Sequence, residues 1–511
     1  MRSRAVAGWL AGLLSVAVAI GVGELAAVFV RPAAAPLIAV GNRVVLLTPE
    51  SAKRATINSV GTDDKLLLFT VIYVVLALLG ALIGQLALRD LRFGLLGLAV
   101  IGAFGCYCAL TANASKASDV VPTLIGTVAA MAVLAALVRA SGLRPTRADA
   151  ATSTGLDRRR FLQAGLGTAL LAALAGFGGR AAQHARFNVA AKRQAVVLPP
   201  ATSTESLPTG VDLATSGIPW ATPNSQFYRV DTALTVPQVD PDTWTLRIHG
   251  LVDREVTITW AEQLQRPMIE RWITLCCVSN PVGGNLVGNA LFRGTRLADL
   301  LREAGIQPQA DQLLLTSVDG YTFGAPTAVV MDGRDALLAI GMNGAPLPVE
   351  HGFPVRTVVP GLYGYVSACK WIVEIEVTTF AAEQAYWVQG GWDAHPSIEL
   401  ASRIDTPRSG KTVTVGRPVP IAGVAWDQHV GVSAVEVQVD DGPWRPARLA
   451  TVPSTDTWRQ WVLTWTPEQA GEHALRVRAR DGAGRPQDTH AAAPFPGGAT
   501  GLDTITVRAV V

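Results

Sequence analysis

Charged residues are scarce in this sequence. Only 16% of its 511 residues are Asp, Glu, Lys or Arg, whereas soluble globular proteins carry about 25%. The shortage is confined to residues up to 180, which are mostly Ala, Leu, Val and Gly, and the composition beyond residue 190 is ordinary. A membrane part joined to a soluble part explains this division. The net charge of +3 gives no support for a nucleic acid partner.

Long apolar runs account for the missing charge. A helix needs about 20 apolar residues to cross a membrane, and five stretches qualify: 5–30, 65–88, 93–113, 119–139 and 160–179. We therefore predict a five-helix transmembrane anchor over residues 1–180.

The distribution of basic residues predicts the orientation of these helices, because Lys and Arg are concentrated in cytoplasmic loops. The N-terminus, the 89–92 turn and the 139–160 loop are rich in arginine: Arg2, Arg4, Arg89, Arg92, Arg139, Arg144, Arg147, Arg158, Arg159 and Arg160. In the 31–64 loop the basic residues are largely balanced by acidic ones: Arg31, Arg43, Lys53 and Arg54 by Glu50, Asp63 and Asp64. Five crossings from a cytoplasmic N-terminus place everything after residue 180 outside the cytoplasm.

The start of the fifth stretch supports that placement. Arg158-Arg159-Arg160-Phe161-Leu162 resembles a twin-arginine export motif, which is an address read by a receptor. An ordinary positive-inside anchor is the alternative, and a position after four helices is atypical for an export signal.

Side chains that are ionisable or that could bind haem are nearly absent from the five stretches. Glu24 is the one clear ionisable residue inside a stretch, and we interpret it as a solvated or helix-capping carboxylate. None of the seven histidines lies in the predicted helices, and no Cys-x-x-Cys-His occurs, so we expect no haem in this chain. Cys106 and Cys108 are two residues apart and do not share a helix face, which favours buried apolar thiols.

The soluble part divides by composition and pattern. Residues 181–225 are rich in Pro, Thr, Ser and Ala and read as a linker or wrapping segment. Residues 226–400 mix short strands with helix-like runs such as Leu297–Ala304, which predicts an α+β domain. Residues 401–511 contain no Cys and predict an immunoglobulin-like β-sandwich, with strands at 413–415, 421–424, 435–439, 458–464 and 474–479.

The α+β domain holds the other cysteines, Cys276, Cys277 and Cys369. Thiols outside a cell tend to pair, but neighbouring cysteines pair only with strain, so at least one thiol is left over. Cys277 ends an extended apolar run and precedes a polar, Gly-rich turn. A thiol in that position suits a metal ligand or a nucleophile, and the alternative is a small buried hydrophobic residue.

Two further segments carry cations beside glycines and aromatics. The segment 343–371 contains His351, Arg356, Gly361, Tyr363 and Lys370, and the segment 223–231 contains Asn224, Phe227, Tyr228 and Arg229. Backbone amides freed by glycines, together with Arg and Lys, form anion cradles. Around an unpaired thiol, they indicate a bound anionic metal cofactor.

These motifs, in this order over about 220–511, resemble the sulfite oxidase family of molybdopterin oxidoreductases. The resemblance rests on Cys277-Val278-Ser279-Asn280, on residues 351–356, 359–364 and 370–371, and on residues 423–429, 435–444 and 458–461. The last three resemble the family's immunoglobulin-like dimerisation domain. The helical N-terminal part resembles membrane-anchored bacterial members.

The resemblance implies roles for individual residues. Cys277 would be the thiolate ligand of one molybdenum, and Arg229 would lie at the substrate anion pocket. The molybdopterin would be lined or gripped by Asn224, Phe227, Tyr228, Ser279, Asn280, His351, Arg356, Gly361, Tyr363, Ala368 and Lys370. The implied reaction is two-electron oxygen-atom transfer on a small sulfur- or nitrogen-containing substrate, with homodimerisation through the C-terminal domain.

Two departures from the family bear on the substrate. Pro281-Val282-Gly283-Gly284 stands where sulfite oxidases have two arginines. The active-site tyrosine of sulfite oxidases has no clear counterpart here, because the spacing along the sequence between Tyr386 and the other motifs does not match that of the family. An S- or N-oxide reductase with a separate haem partner is therefore an alternative. With no haem domain in this chain, electrons would pass through a separate carrier or the quinone pool.

Two alternatives come from other functional classes. The first is a cofactor-free extracytoplasmic binding or adhesion protein that acts through the sandwich domain. The second is a transporter that uses Glu24, which would require more polar residues through the helices than the sequence contains.

Overall fold

The computed structural model describes residues 2–49, 51–53, 55–56, 64–141, 158–213 and 217–511. They form two compact units: Met1–Asn188 with Ala233–Gln238, and Val189–Thr232 with Val239–Val511. Five charged residues used to predict orientation lie outside the described residues: Glu50, Arg54, Asp63, Arg144 and Arg147. The boundaries proposed above at residues 180, 225 and 400 stay predictions.

The first unit is helical. Its longer helices are α1 (Arg2–Ala27), α2 (Pro36–Leu47), α3 (Asp64–Arg89), α4 (Leu91–Leu110), α5 (Val121–Ala140) and α6 (Arg158–Phe187). Five of them are long and apolar enough to cross a membrane, by length and composition. The sequence did not predict α2, because Gly41, Asn42 and Arg43 interrupt its apolar run and its 12 residues are too few for a span.

Helix α1 packs against α3, α5 and α6. Its backbone approaches that of α3 closely at glycines: a Cβ added to Gly12 would lie 1.8 Å from the carbonyl oxygen of Gly80. Small residues commonly permit such crossings between membrane helices.

The structure corrects two predictions about these helices. Glu24 is 4% exposed and bonded to Gln183, so it is neither a solvated nor a helix-capping carboxylate. Helix α6 continues to Phe187, which puts His184 in its last turn, so the expectation that no histidine lies in the helices is wrong. The helix continues because the sequence 180–187 contains no Gly or Pro. Cys108 is buried and Cys106 is partly exposed.

The second unit contains an α+β part with two sheets. One has the order β1-β4-β5-β8-β10, with β9 beside β8, and the other has the order β3-β2-β11-β6-β7. The strands are β1 (Ser203–Thr204), β2 (Thr245–Gly250), β3 (Val256–Thr259), β4 (Ile269–Cys276), β5 (Val287–Arg296), β6 (Gln312–Ser317), β7 (Thr322–Pro326), β8 (Leu337–Met342), β9 (Ala345–Pro346), β10 (Arg356–Val358) and β11 (Ile372–Thr378).

Short helices connect these strands: α7 (Ala190–Ala195), α8 (Trp260–Gln265), α9 (Leu297–Ala304), α10 (Thr327–Met331), α11 (Gly364–Ser367) and α12 (Tyr386–Gln389). The helix predicted at Leu297–Ala304 is confirmed, and Gly305 ends it with φ of +72°. Strand β1 pairs in parallel with β4, so part of the Pro- and Thr-rich segment lies against the sheet that carries Cys276.

The rest of the second unit is the predicted sandwich. Two sheets, β12-β14-β18-β17 and β13-β20-β19-β15-β16, face each other across a core that includes Val435, Trp461 and Val477. The strands are β12 (Ala401–Thr406), β13 (Thr412–Thr414), β14 (Val419–Trp426), β15 (Val432–Val439), β16 (Arg445–Pro446), β17 (Arg448–Leu449), β18 (Arg459–Trp465), β19 (Gly471–Asp481) and β20 (Thr504–Val510). The five strands expected from alternation are confirmed because one face of each is buried.

Candidate active site

Cys277 directly follows β4, at the start of a tight turn. Its N–H donates to the carbonyl of Leu286 (2.9 Å), and its own carbonyl accepts from the N–H of Asn280 (3.0 Å). The side-chain oxygen of Asn280 closes the turn by accepting from the N–H of Leu286 (2.8 Å). The turn therefore fixes the thiol at the strand end, where it is 9% exposed.

An aromatic cluster forms the next part of the site. The ring of Phe227 stacks on Tyr228 (centroids 5.2 Å apart) and meets the rings of His351 (5.6 Å) and Phe292 (6.4 Å) edge-on. The carbonyl of Asn224 lies 3.3 Å from Nε2 of His351. The segment 223–231 and the loop before β10 are thereby joined, as the sequence predicts.

Arg356, the first residue of β10, is a buried cation. Its side chain is 3% exposed and bonds to the carbonyls of His351 (3.1 Å) and Thr357 (3.4 Å). Within the described ranges it has no carboxylate partner, and burial lowers its pKa to about 10. Buried charges normally require a partner of opposite charge, so this guanidinium lacks an anion.

A carboxylate joins the other two cations. Oδ2 of Asp231 lies 2.9 Å from Nε of Arg229 and 3.4 Å from Nζ of Lys370. Lys370 also donates to the carbonyl of Glu350 (3.2 Å). Burial, opposed by Asp231, lowers the pKa of Lys370 to about 8. The Arg229 side chain is 45% exposed, so it is the more accessible of the two.

The surroundings of the three buried thiols differ. Burial raises the pKa of Cys277, but hydrogen bonding by Ser279 and the charge of Lys370 lower it. Burial raises the pKa of Cys276 and of Cys369 well above the usual value. The charges of Cys277 and Asp319, respectively, raise them further, and those of Arg403 and Arg356, respectively, lower them without cancelling the effect of burial. Of the three, Cys277 has the surroundings that best tolerate a thiolate. All five cysteines are free.

Ser279 is exposed although it hydrogen-bonds to Cys277. Gly361, Tyr363 and Ala368 have further contacts. A Cβ added to Gly361, whose φ is +83°, would lie 2.8 Å from Arg334 and 3.3 Å from Gln428. The Tyr363 hydroxyl accepts from the N–H of Glu399 (3.2 Å). The N–H of Ala368 donates to Gly364 (3.0 Å). Gly361 and Tyr363 therefore contact residues of, or beside, the sandwich.

Sequence reasoning missed three residues that shape this site. Asp231 forms ion pairs with two cations, Phe292 supports Phe227 and lies 5.9 Å from the Arg356 guanidinium, and Asn343 bonds to Asn224 (2.8 Å). The proximity of Asp231 to Arg229 in sequence was a usable signal. Phe292 had none, since an aromatic residue in a buried strand reads as ordinary core.

Comparisons with known proteins identify the family of this chain. The family described as "Oxidoreductase molybdopterin binding domain" matches residues 233–387, and "Bacterial Ig domain" matches residues 401–477. The uncharacterized oxidoreductase YuiH of Bacillus subtilis is 31% identical over 30% of this chain and 74% of its own. The mitochondrial sulfite oxidase of Homo sapiens is 32% identical over 50% of this chain and 55% of its own.

The chain belongs to the sulfite oxidase family of molybdopterin oxidoreductases. It spans about half the length of most of the sulfite oxidases that it matches. Among solved structures it is similar to the sulfane dehydrogenase SoxCD of Paracoccus pantotrophus, at a TM-score of 0.49 and 23% identity over 56% of this chain and 81% of that one. Family membership favours the enzyme over the cofactor-free binding protein.

Proposed function

We propose that this chain is a membrane-anchored molybdenum-cofactor oxidoreductase that transfers an oxygen atom to or from a small sulfur- or nitrogen-containing substrate outside the cytoplasm. The observation that carries the proposal is a buried thiol, Cys277, on which the charge of Lys370 acts, together with a second buried cation, Arg356, in the same unit. Lys370 has Asp231 as partner, whereas Arg356 contacts carbonyl oxygens and the Phe292 ring and has no carboxylate partner among the described residues.

The residues of the site fit the cofactor. The described part of the chain has no group of three or more His, Cys, Asp or Glu side chains placed to hold a metal ion. A metal beside Cys277 would therefore need ligands from outside the protein, which the dithiolene of a pterin supplies. Arg356 suits the phosphate of that pterin, because guanidinium groups bind phosphate through paired, charge-assisted hydrogen bonds.

The bound cofactor would supply the two-electron redox chemistry, and the protein would supply positioning and electrostatics. In this proposal Cys277 holds the metal, Arg356, His351 and Lys370 grip the pterin and phosphate, and Arg229 faces the substrate. The remaining cofactor contacts would come from Asn224, Phe227, Tyr228, Ser279, Asn280, Gly361, Tyr363 and Ala368. Burial lowers the pKa of His351 to about 4, so at neutral pH its imidazole is neutral and both donates and accepts one hydrogen bond.

The proposal includes a location. Five apolar helices support a multi-pass membrane anchor, and the arginine-rich loops support a catalytic unit on the outer side of a bacterial membrane. The twin-arginine-like motif at 158–162 fits export of a folded, cofactor-loaded unit. Electrons would then reach a separate carrier or the quinone pool, and the sandwich domain would form a homodimer interface.

An S- or N-oxide reductase is the second candidate, and one observation favours it. Asp231 contacts both Arg229 and Lys370, so the cations that would attract a sulfite dianion are partly neutralised. Charge complementarity of this kind determines which substrates are accepted and which are rejected. An uncharged sulfoxide or N-oxide would not require the lost positive charge.

A panel of assays on the purified full chain tests both candidates. Sulfite is offered with ferricyanide as acceptor, and methionine sulfoxide and trimethylamine N-oxide are offered with reduced methyl viologen as donor. We expect turnover in one direction, abolished in Cys277→Ser and retained in Cys369→Ser. Turnover of the oxides alone would select the reductase, and a molybdenum-loaded chain inactive in every assay would overturn the proposal.

A further inference from the structure

A crevice of about 430 Å³ lies in the helical unit between α1, α3 and α6. Most of its wall is apolar, and nearly half of the lining residues are small, including Ala17, Gly21, Ala77 and Ala173. The crevice opens outward, since the lining residue Phe177 is 76% exposed. Its apolar lining and its outward opening suit an apolar group whose tail extends between lipids.

One end of the crevice is polar. Glu24, 4% exposed, accepts from Nε2 of Gln183 at its carboxylate (3.2 Å) and at its carbonyl (2.7 Å). Arg180 lies 3.7 Å from the Glu24 carboxylate and donates to the Tyr73 hydroxyl (3.2 Å). Glu24, Tyr73 and Arg180 all line the crevice. Ionisable residues within apolar helices are costly and usually functional.

These groups indicate what the crevice accepts. Glu24 offsets the charge of Arg180, so the polar end does not favour an anionic lipid head. Arg180 carries five N–H donors, its side chain is half exposed, and the Tyr73 hydroxyl retains its own proton to donate. A carbonyl oxygen would accept from Arg180 or Tyr73, and a hydroxyl would donate to the Glu24 carboxylate.

We propose that this crevice binds the head group of a lipid-soluble quinone, with one ring oxygen at Glu24, Tyr73 and Arg180. A quinone presents carbonyl acceptors and a quinol presents hydroxyl donors, so the same polar end serves both forms. The inference deepens the proposed function by identifying where the membrane electron carrier binds. It rests on that proposal because it requires α1, α3 and α6 to lie in a membrane.

Photolabelling of the full chain in phosphatidylcholine nanodiscs tests the site. The probe is an azido-benzoquinone with a short alkyl tail, and decyl-ubiquinone is the competitor. We expect saturable labelling of α1, α3 or α6 that decyl-ubiquinone displaces. Ala173→Phe fills the crevice and should reduce labelling at least tenfold. Leu174→Phe, on the neighbouring residue that does not line the crevice, is the matched control and should leave labelling unchanged.

Variants at the polar end test the hydrogen bonds. Tyr73→Phe should weaken competition by decyl-ubiquinone about three- to tenfold, which is the range expected for the loss of one neutral hydrogen bond. Arg180→Gln should weaken it about tenfold or more, because the lost donor is charged. Labelling that does not saturate, that Ala173→Phe leaves unchanged, or that phosphatidylglycerol displaces instead of decyl-ubiquinone would overturn the proposal. The last result would indicate an anionic lipid site.

The experiment separates this inference from the oxidoreductase proposal, because labelling requires no turnover. Molybdenum content and far-ultraviolet circular dichroism are measured on the same samples, because the circular dichroism shows whether the helices that the crevice variants alter are still folded. Labelling that persists in Cys277→Ser, whatever the activity of that variant, supports the quinone site without bearing on the oxidoreductase proposal. If a molybdenum-loaded, active wild-type chain is not labelled, the quinone site is wrong and the oxidoreductase proposal stands.

Discussion

At the scale of single residues, a guanidinium that is 3% exposed and bonded to carbonyl oxygens is the strongest sign of a missing anion. Removing an ion from water costs several kcal/mol even in real proteins. Arg356 offsets only part of that cost through His351 and Thr357. The Phe292 ring, 5.9 Å from the guanidinium, offsets a further part, and a bound phosphate would supply the ion pair that no carboxylate among the described residues provides.

Arg229 tests the substrate pocket. We predict that Arg229→Gln raises the KM for sulfite roughly tenfold or more, because a hydrogen bond to a charged group contributes about 1.5–3 kcal/mol. Molybdenum content should not change, and the KM for an uncharged sulfoxide should change little. The exposed Arg247, which pairs with Glu255 (2.8 Å), provides the control Arg247→Gln. Loss of molybdenum in Arg229→Gln would instead make Arg229 a cofactor ligand.

His351 predicts a dependence of stability on pH. Its pKa is about 4 in the folded chain and 6.5 in the unfolded chain, so between these values only the unfolded chain binds the proton. The contribution of His351 to stability is therefore fully present above pH 6.5 and is lost as the pH falls toward 4. Between pH 7 and 4.5 the cofactor-free wild type should lose about 2–3 kcal/mol more than His351→Gln.

The measurement is urea unfolding followed by tryptophan fluorescence, which reports on the second unit because every Trp except Trp9 lies beyond residue 188. The difference between wild type and variant isolates His351 from carboxylates such as Asp427, whose pKa burial raises to about 6 and whose effect has the opposite sign. Equal pH slopes in both chains would contradict the prediction.

Part of the candidate site could be proposed from the sequence, and its function stays a prediction. Cys277, His351, Arg356 and Lys370 lie in short segments whose glycines, prolines and cations indicate an anion site. Asp231 and Phe292 were not predictable as site residues, since only the tertiary fold brings them to Lys370 and Phe227. The burial of Glu24 was missed for the same reason: its partners Arg180 and Gln183 are distant in sequence.

At the scale of elements, β5 supports the aromatic cluster through a glycine. A Cβ added to Gly288 would lie 2.9 Å from the Phe227 ring, so the ring would have to move from its contacts with Tyr228 and His351. We predict that Gly288→Ala destabilises the second unit by about 1–3 kcal/mol and lowers molybdenum content.

Thermal unfolding and metal analysis check this prediction. Gly497→Ala is the control, because its added Cβ would meet only Asp393, at 3.8 Å, and it should behave as wild type. If Gly288→Ala kept the stability and molybdenum content of the wild type, neither property would depend on the position of the Phe227 ring, and the prediction would be wrong.

Element types were more predictable than element ends. The sandwich strands and Leu297–Ala304 followed from periodicity because one face of each is buried. Helix α2 was missed because its apolar run is short and interrupted. The end of α6 was misplaced because residues 180–187 are polar enough to leave a membrane yet still favour helix.

At the scale of the whole molecule, the low charge fraction corresponds to a helical unit and a separate, ordinarily charged unit. We predict that the full chain stays in the membrane pellet at high salt and in alkaline carbonate. A chain of residues 189–511 should be soluble and load molybdenum. Fractionation with molybdenum analysis checks this, and release of the full chain by carbonate would contradict the anchor.

The central claim is that Cys277 is the protein ligand of a molybdenum cofactor. X-ray absorption at the molybdenum edge tests it on purified wild type and on Cys276→Ser, Cys277→Ser and Cys369→Ser, which replace the three buried free thiols of the second unit. We predict molybdenum with sulfur ligands in the wild type, one sulfur fewer or no metal in Cys277→Ser alone, and wild-type spectra in the other two. A wild type without molybdenum, or a Cys277→Ser chain with an unchanged sulfur count, would contradict the account.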